Sequence, residues 1–79
     1  MLSAKLEFSP HSRLRMEEKG ISAAEVRLII ERGIRTPEAA DAGASPRFSY
    51  RAMIEGRWVT VVAAEEIGRI VVITVIAGR

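Results

Sequence analysis

The sequence predicts an α+β fold, in which two N-terminal helices pack on one face of a three- to four-stranded antiparallel sheet. Residues 9–33 carry start and stop signals for two helices, whereas residues 47–77 are rich in valine, isoleucine, threonine and aromatic residues and are divided by glycine turns. Because 79 residues with 48% apolar content suffice for one core, we expect a single domain over residues 1–79.

The first predicted helix spans Pro10–Lys19, and before it Lys5–Phe8 is either a short strand or an extended lead-in. The hydroxyl of Ser9 can cap this helix, and a proline suits the first turn because the backbone N–H there has no helical partner. Gly20 can adopt the left-handed conformation that ends a helix. We therefore expect the helix to begin after residue 9 and to end before residue 20.

This helix carries the only histidine of the chain. At 3.6 residues per turn, His11 shares one arc of the helix with Leu14, Arg15 and Glu18. We expect Leu14 to contact the core, which would place an imidazole, a guanidinium and a carboxylate beside a buried leucine.

The second helix begins at the clearest local signal in the sequence, the capping box of Ser22 and Glu25. In this motif the serine hydroxyl accepts a hydrogen bond from the backbone N–H three residues later, and the glutamate accepts one from the N–H of the serine. Gly33 is the expected stop. The apolar residues that recur at helical spacing are expected to face the core: Val26, Ile29 and Ile30.

The C-terminal half is predicted to form three β-strands, namely Arg47–Ile54, Trp58–Ala64 and Arg69–Ala77. Glu55-Gly56 suits a tight hairpin turn between the first two strands, and Glu65–Gly68 suits a longer turn before the third. Ahead of them, Ile34–Thr36 is at most a brief extension, and Pro37–Pro46 is predicted to be a loop because it is rich in small residues, proline and glycine.

Strand alternation predicts which face of the sheet meets the helices. If the first hairpin closes at Glu55-Gly56, Tyr50 lies opposite Val61, and one mainly apolar face results. We expect the helices to cover that face, which comprises Phe48, Tyr50, Ala52, Ile54, Val59, Val61, Ala63, Ile70, Val72 and Ile76.

The opposite face has an apolar centre and a rim of arginines. It comprises Arg47, Ser49, Arg51, Met53, Trp58, Thr60, Val62, Arg69, Val71, Ile73 and Val75. A monomer of this size does not normally leave such a surface bare, so we expect a partner on it, with a homodimer as one candidate. This assignment depends on the register, because a one-residue shift exchanges the two faces.

The composition excludes several kinds of site. Without cysteine the chain forms no disulfide and no cysteine–zinc site, and a single histidine excludes a histidine-rich metal site, so we expect neither a metal nor a cofactor. No apolar run approaches the ~18 residues of a membrane span, and the N-terminus lacks a basic-then-apolar signal pattern. We therefore expect a cytoplasmic protein without membrane contact.

The basic residues are biased toward arginine. The net charge is only +2, but ten of the twelve basic residues are arginines. Arginine binds phosphate in a bidentate manner and stacks on bases, so this bias favours nucleic-acid binding. A GC-rich genome, which favours arginine codons, accounts for it equally well.

The segment His11–Ser22 carries a family resemblance. Its histidine is followed by Arg15-Met16, the acidic–basic pair Glu18-Lys19 and Gly20-Ile21-Ser22, and the last strand contains the run Val72–Val75. This pattern resembles the uncharacterised small-domain family numbered 4258 among domains of unknown function, which is similar to the RelE, ParE and BrnT toxins. The resemblance implies two helices on an antiparallel sheet and a toxin of a toxin–antitoxin pair, often a ribonuclease, with an antitoxin and RNA as partners.

Two residues of the first helix are candidates for catalysis, His11 and Arg15. Because histidine changes charge near neutral pH, His11 can act as a general acid or base in metal-independent RNA cleavage, or it packs near the helix start against a carbonyl or Glu18. Arg15 can bind the scissile phosphate or stabilise the transition state. Alternatively, it forms an ion pair with Glu18 or Glu25, which contributes about 0–1 kcal/mol if exposed.

Four further residues are candidates for binding RNA or a protein partner: Arg47, Arg51, Trp58 and Arg69. Trp58 shares a face with the arginines and can stack a base or anchor a partner, whereas Tyr50 points to the opposite face and is expected in the core. The leading hypothesis is an RNA-binding, toxin-type domain that cleaves RNA. The alternative is a non-catalytic interaction module that forms a homodimer through its sheet face.

Overall fold

The computed structural model describes residues 4–78, which contain two helices and five strands. Residues 1–3 and residue 79 of the predicted domain lie outside the described residues. In chain order the elements are β1 (Lys5–Phe8), α1 (Pro10–Lys19), α2 (Ala23–Arg32), β2 (Ile34–Glu38), β3 (Arg47–Ile54), β4 (Arg57–Glu66) and β5 (Arg69–Ala77).

The five strands form one sheet in the order β1-β5-β4-β3-β2. The hairpins of β2 with β3, β3 with β4 and β4 with β5 are antiparallel, whereas β1 runs parallel to β5. The α+β prediction is confirmed, but the expected three- to four-stranded, wholly antiparallel sheet is wrong. The strand that pairs with β1 lies more than sixty residues away along the chain, since Lys5 lies opposite Arg69. A local sequence pattern cannot predict a pairing over that distance.

β2 was expected to be a brief extension because a proline follows it. In the structure Pro37 belongs to the strand and lies opposite Phe48. A proline is tolerated there because β2 is the last strand in the sheet order, and a missing N–H on the outer side of an edge strand breaks no hydrogen bond.

The helix boundaries follow the predicted capping residues. The Ser9 hydroxyl accepts from the N–H of Ser12 at 3.1 Å, and Gly20 ends α1 with a left-handed φ of 67°. At α2, the N–H of Glu25 donates to the Ser22 hydroxyl at 3.1 Å, and the N–H of Ser22 donates to the Glu25 carboxylate at 2.9 Å. The capping box is therefore confirmed.

Both helices lie on the same face of the sheet, where α1 contacts β5 and α2 contacts β3 and β4. Between them lies a core of buried residues: Ile21, Val26, Ile29, Ile30, Tyr50, Val59, Val61, Ala63, Ile70, Val72 and Val75. The predicted register of the first hairpin is confirmed, since Tyr50 lies opposite Val61 and Phe48 opposite Ala63. The face of the sheet that points away from both helices is called the open face below.

A β-bulge changes the predicted faces of β5. Ala63 lies opposite Val72 and Val62 opposite Thr74, so Ile73 is one extra residue on this strand. Beyond it the alternation is inverted: Val75 is only 1% exposed in the core, and Ile76 is 55% exposed. The predictions that Val75 lies on the open face and that Ile76 lies under the helices are therefore wrong, because regular alternation contains no signal for an inserted residue.

The orientation of α1 also differs from the prediction. Leu14, the expected core contact, is 54% exposed, whereas Ser12 is fully buried and Met16 packs against the core. The Ser12 hydroxyl donates to the carbonyl of Ser9 at 2.8 Å, so the buried oxygen has a partner. A small side chain at this position allows the start of α1 to approach the sheet closely.

Candidate functional site

A groove runs between one side of α1 and the second half of β5. It has a volume of about 290 Å³ and is lined by His11, Arg15, Lys19 and the strand segment 74–77. The three α1 residues are spaced four apart, which places them in one row along the helix. The groove exists because β1 ends at Phe8 and the chain turns into α1, so that no described strand covers this part of β5. We call it the helix–strand groove.

The predicted pair His11 and Arg15 is thus brought together, and Lys19 extends the row. His11 is exposed and lies in the first turn of α1, where the unpaired N–H groups of the helix favour an anion. None of the described residues that line the groove is a carboxylate. The side chains of Arg15 and Lys19, which are cations, and the imidazole of His11 therefore all face the helix–strand groove.

Arg15 also makes the ion pair that was considered as its alternative role. Its Nη1 lies 3.2 Å from Oε1 of Glu18, and both side chains are about half exposed. Such a pair contributes about 0–1 kcal/mol, so Arg15 can exchange Glu18 for an anionic ligand at little cost. Glu25, the other predicted partner, instead belongs to the capping box of α2.

The four predicted binding residues share the open face but do not form one cluster. The Arg51 guanidinium lies 4.3 Å from the centroid of the Trp58 ring, and Trp58 is 39% exposed. At the far end of the sheet, Arg69 is held by Glu66 at 2.6 Å and by Glu7 at 3.2 Å. Arg47, opposite Ala64, lies four residues along β3 from Arg51. Of the four predicted residues, Arg51 and Trp58 alone therefore form a compact cation–aromatic pair.

Exposed apolar side chains surround that pair. Met53 lies opposite Trp58, Ile34 lies opposite Arg51, and Ile76 lies opposite Thr60, and all three are at least half exposed. The apolar part of the open face is therefore centred on the β3–β4 hairpin rather than on the valines of β5. The bulge at Ile73 accounts for this shift, because it removes Val75 from the face and adds Ile76.

A polar cluster that no sequence pattern indicates lies on the helix side of the sheet. Arg35 of β2 donates to both carboxylate oxygens of Glu65, through Nε at 3.1 Å and through Nη2 at 2.9 Å, and the Tyr50 hydroxyl also donates to Glu65. The Arg35 guanidinium lies 3.5 Å from the centroid of the Phe48 ring. The cluster borders a cavity of about 350 Å³ whose lining includes Ile30.

The electrostatics of this cluster indicate a structural role. Burial raises the pKa of the Tyr50 phenol, which is 3% exposed, and the hydrogen bond to Glu65 raises it further. Partial burial raises the pKa of the Glu65 carboxyl, but hydrogen bonds from Tyr50 and Arg35 outweigh it, so the pKa lies below its ordinary value. The three groups satisfy one another and tie the edge strand β2 to β4 across β3. No sequence signal marked Arg35, because β2 was expected only as a brief extension with no defined partner strand.

A family model that matches most of these helices and strands determines the family of the chain. The model of the family described as Domain of unknown function (DUF4258) matches residues 8–77. The chain belongs to this family. The matched region contains the whole helix–strand groove and the β3–β4 hairpin of the open face, so both candidate surfaces of this DUF4258 domain lie within it.

No curated protein and no solved structure matches this DUF4258 domain. The expected likeness to the RelE, ParE and BrnT toxins therefore stays a prediction. Among residues 4–78, no three histidine, aspartate or glutamate side chains are grouped closely enough to hold a metal ion. Neither helix in that range is long and apolar enough to cross a membrane.

Proposed function

We propose that this DUF4258 domain is a toxin-type RNA-binding domain that holds the sugar–phosphate backbone of RNA in the helix–strand groove. The observation that carries the proposal is the row of His11, Arg15 and Lys19 along a groove without a lining carboxylate. Phosphate contacts from basic side chains supply most of the affinity in sequence-independent nucleic-acid binding. The arginine-rich composition supports the same proposal.

The spacing of the row suits a strand of linked anions. Residues four apart on a helix are about 6 Å apart along its axis, so the three side chains can contact different phosphates of one strand. The first turn of α1 adds the partial positive charge of a helix N-terminus beside His11. The Arg15–Glu18 pair is exposed, so an incoming phosphate can displace the carboxylate.

The proposal includes RNA cleavage with His11 as the proton acceptor. The imidazole takes the proton of a ribose 2′-hydroxyl, whose oxygen attacks the adjacent phosphorus and displaces the 5′-oxygen of the next nucleotide. The leaving oxygen takes a proton from water, and the imidazolium later releases its own proton to solvent. Arg15, one turn along the helix, stabilises the negative charge that develops on the phosphoryl oxygens. The products are a 2′,3′-cyclic phosphate and a 5′-hydroxyl end.

RNA binding is tested by the salt dependence of affinity. The dissociation constant of a fluorescent single-stranded RNA is measured by anisotropy over a range of salt concentrations. For single strands each phosphate contact contributes about 0.7 to the slope of log affinity against log salt, so Arg15→Gln and Lys19→Gln should each reduce the slope by about that amount. Arg27→Gln, an equal charge change at an exposed position of α2, is the control and should leave the slope nearly unchanged.

Cleavage is tested with His11→Ala in a buffer that contains a chelator. Loss of a general base typically lowers the rate about 10²–10⁴-fold. Because His11 is exposed and makes no hydrogen bond within the described residues, its removal should leave the melting temperature within about 2–4 °C of wild type. Wild-type protein that binds RNA without cleaving it would leave the binding proposal standing and remove the catalytic one. A wild type that binds no RNA would remove both.

The open face favours a second function, association with another protein. Ile34, Met53, Trp58 and Ile76 form an exposed apolar surface that both helices leave uncovered. We propose a homodimer through this face, tested by sedimentation of the wild type and of Ile76→Lys. The wild type should sediment as a dimer and Ile76→Lys as a monomer, while Leu28→Lys, at an exposed leucine of α2, should remain dimeric. A wild type that is monomeric at high concentration would contradict the homodimer.

A further inference from the structure

The helix–strand groove ends at a basic residue that is not part of its lining, Arg57 of β4. Nη2 of Arg57 donates to the carbonyl of Lys19 at 2.6 Å, so this side chain adjoins the helix side of the groove. On the strand side, Gly78 directly follows the lining segment 74–77, and its N–H donates to the carbonyl of Trp58 at 2.7 Å. Because Trp58 directly follows Arg57, the arginine lies next to both sides of the groove at the same end.

The hydrogen bond to Lys19 gives Arg57 a structural role but leaves most of its guanidinium unused. The last carbonyl groups of a helix have no partner within the helix, and an arginine side chain can satisfy one of them. Within residues 4–78, the Arg57 side chain makes this hydrogen bond and no other. Its remaining N–H groups can therefore bind an anion while the bond to α1 persists.

No carboxylate of the described residues neutralises this end of the groove. The arginines that form ion pairs within residues 4–78 are Arg15, Arg35 and Arg69, whereas Arg57 and Lys19 form none. Two cationic residues therefore meet at the end of the groove without a counter-charge from this part of the chain. Because like charges at short range repel each other even in water, a bound anion would stabilise them.

We propose that Arg57 extends the row of His11, Arg15 and Lys19 and binds the RNA phosphate next to the one on Lys19. The row spans about 12 Å along α1, and Arg57 adds a contact beyond its end. The preferred substrate is therefore an RNA strand that continues past the C-terminal end of α1, rather than a strand that stops at Lys19. The identity of the ligand as RNA rests on the proposed function, whereas binding of an anion at Arg57 does not.

The salt dependence of the affinity for fluorescent single-stranded RNA tests this contact. Arg57→Gln should lower the slope of log affinity against log salt by about 0.7, and Arg57→Lys should keep the wild-type slope because it keeps the charge. The double variant with Lys19→Gln should lose about twice as much, since the two residues bind different phosphates. Arg27→Gln, at an exposed position of α2, is the control and should retain the wild-type slope.

The length of the RNA gives a second readout. The affinity of wild-type protein should rise with the length of the oligonucleotide until the strand reaches Arg57. Arg57→Gln should reach its plateau at a shorter length, because its last phosphate contact is at Lys19. An arginine that only caps α1 would lower the melting temperature when replaced by glutamine, but it would change neither the salt slope nor the plateau.

A third measurement uses wild-type protein alone, so it holds even if Arg57→Gln fails to fold. The protein is titrated with pyrophosphate, and the Nε–H signals of its arginines are followed by NMR. We expect the signal of Arg57 to shift and that of Arg27, which lies on α2, to stay unchanged. Because the probe contains no ribose and no base, a shift at Arg57 reports binding of an anion rather than of RNA as such.

The inference is overturned if RNA binds but Arg57→Gln keeps both the slope and the plateau length of wild type. It is also overturned if pyrophosphate leaves the Arg57 signal unchanged, or shifts the Arg27 signal equally. Wild-type protein that binds no RNA but shows the Arg57 shift with pyrophosphate would remove the proposed function and support the anion site.

Discussion

The substitution Gly33→Ala tests how closely the backbone between α2 and β2 approaches strand β3. Gly33 has φ −74° and ψ 167°, a conformation open to any residue, so a glycine is not required by backbone geometry. A Cβ built there would lie 2.5 Å from the Ile29 oxygen and 3.0 Å from the Arg51 oxygen. Both are backbone atoms, so a flexible side chain cannot relieve the contact. The glycine is required because two backbone segments approach it.

The expected magnitude follows from opposing contributions. Replacing glycine by alanine stabilises by about 0.4–1 kcal/mol where the site accepts a methyl group, because the unfolded chain loses freedom. Overpacking costs about 1–3 kcal/mol, and distortion of the hydrogen bond from the Gly33 N–H to Ile29, now 2.7 Å, costs about 0.5–1.5 kcal/mol. We therefore expect Gly33→Ala to lower the free energy of unfolding by about 1–3 kcal/mol.

The assay is urea denaturation, with Gly20 as the matched site. Gly20 has φ 67° and no atom within 4 Å of a built Cβ, so its constraint is conformational alone. Gly20→Asn should be less destabilising than Gly20→Ala, because asparagine tolerates the left-handed region. At Gly33 asparagine should be no better than alanine, since both carry a Cβ. A Gly33→Ala variant as stable as wild type would refute the close approach of α2 and β2 to β3.

Two further predictions concern stability. Ser22→Ala should lower the free energy of unfolding by about 0.5–2 kcal/mol, measured by chemical denaturation, because the N–H of Glu25 loses its acceptor; an unchanged midpoint would contradict the cap. Because the pKa of Glu65 is lowered, its carboxylate stabilises the fold above the ordinary pKa of 4.5, and this contribution is lost as the pH falls through the lowered value. Glu65→Gln should therefore be less stable than wild type at neutral pH, and the difference should shrink as the pH falls below the lowered pKa, in thermal melts across pH; a constant difference would argue against the ion pair with Arg35.

Signals that act within one element predicted this fold well. The caps at Ser9 and Ser22 involve atoms three residues apart, and the β3–β4 register is determined by a tight turn. These interactions are local, so the two interacting residues lie close together in the sequence and can be recognised there. The helices, the first hairpin and the core position of Tyr50 could therefore be predicted.

Features that depend on distant parts of the chain could not be predicted. The pairing of β1 with β5 joins Phe8 to Val72, and the bulge at Ile73 depends on how β5 fits β4 and the chain near Ser9. Burial of Ser12 rather than Leu14 likewise reflects how close the sheet lies to α1. For the same reason, the sequence placed His11 and Arg15 on one arc but contained no indication of the strand edge they face.

The two ends of α1 are tied to different parts of the sheet. At its start, the Ser9 hydroxyl donates to the carbonyl of Ile73 on β5, and at its end Nη2 of Arg57, beside the β3–β4 turn, donates to the carbonyl of Lys19 at 2.6 Å. Helix α1 is therefore held by a hydrogen bond at each end, and these two contacts with the sheet determine its distance from β5. A change in the length of the β3–β4 turn would move only the contact between Arg57 and Lys19. The helix–strand groove would then change its width at the Lys19 end, whereas its width at the His11 end would stay the same.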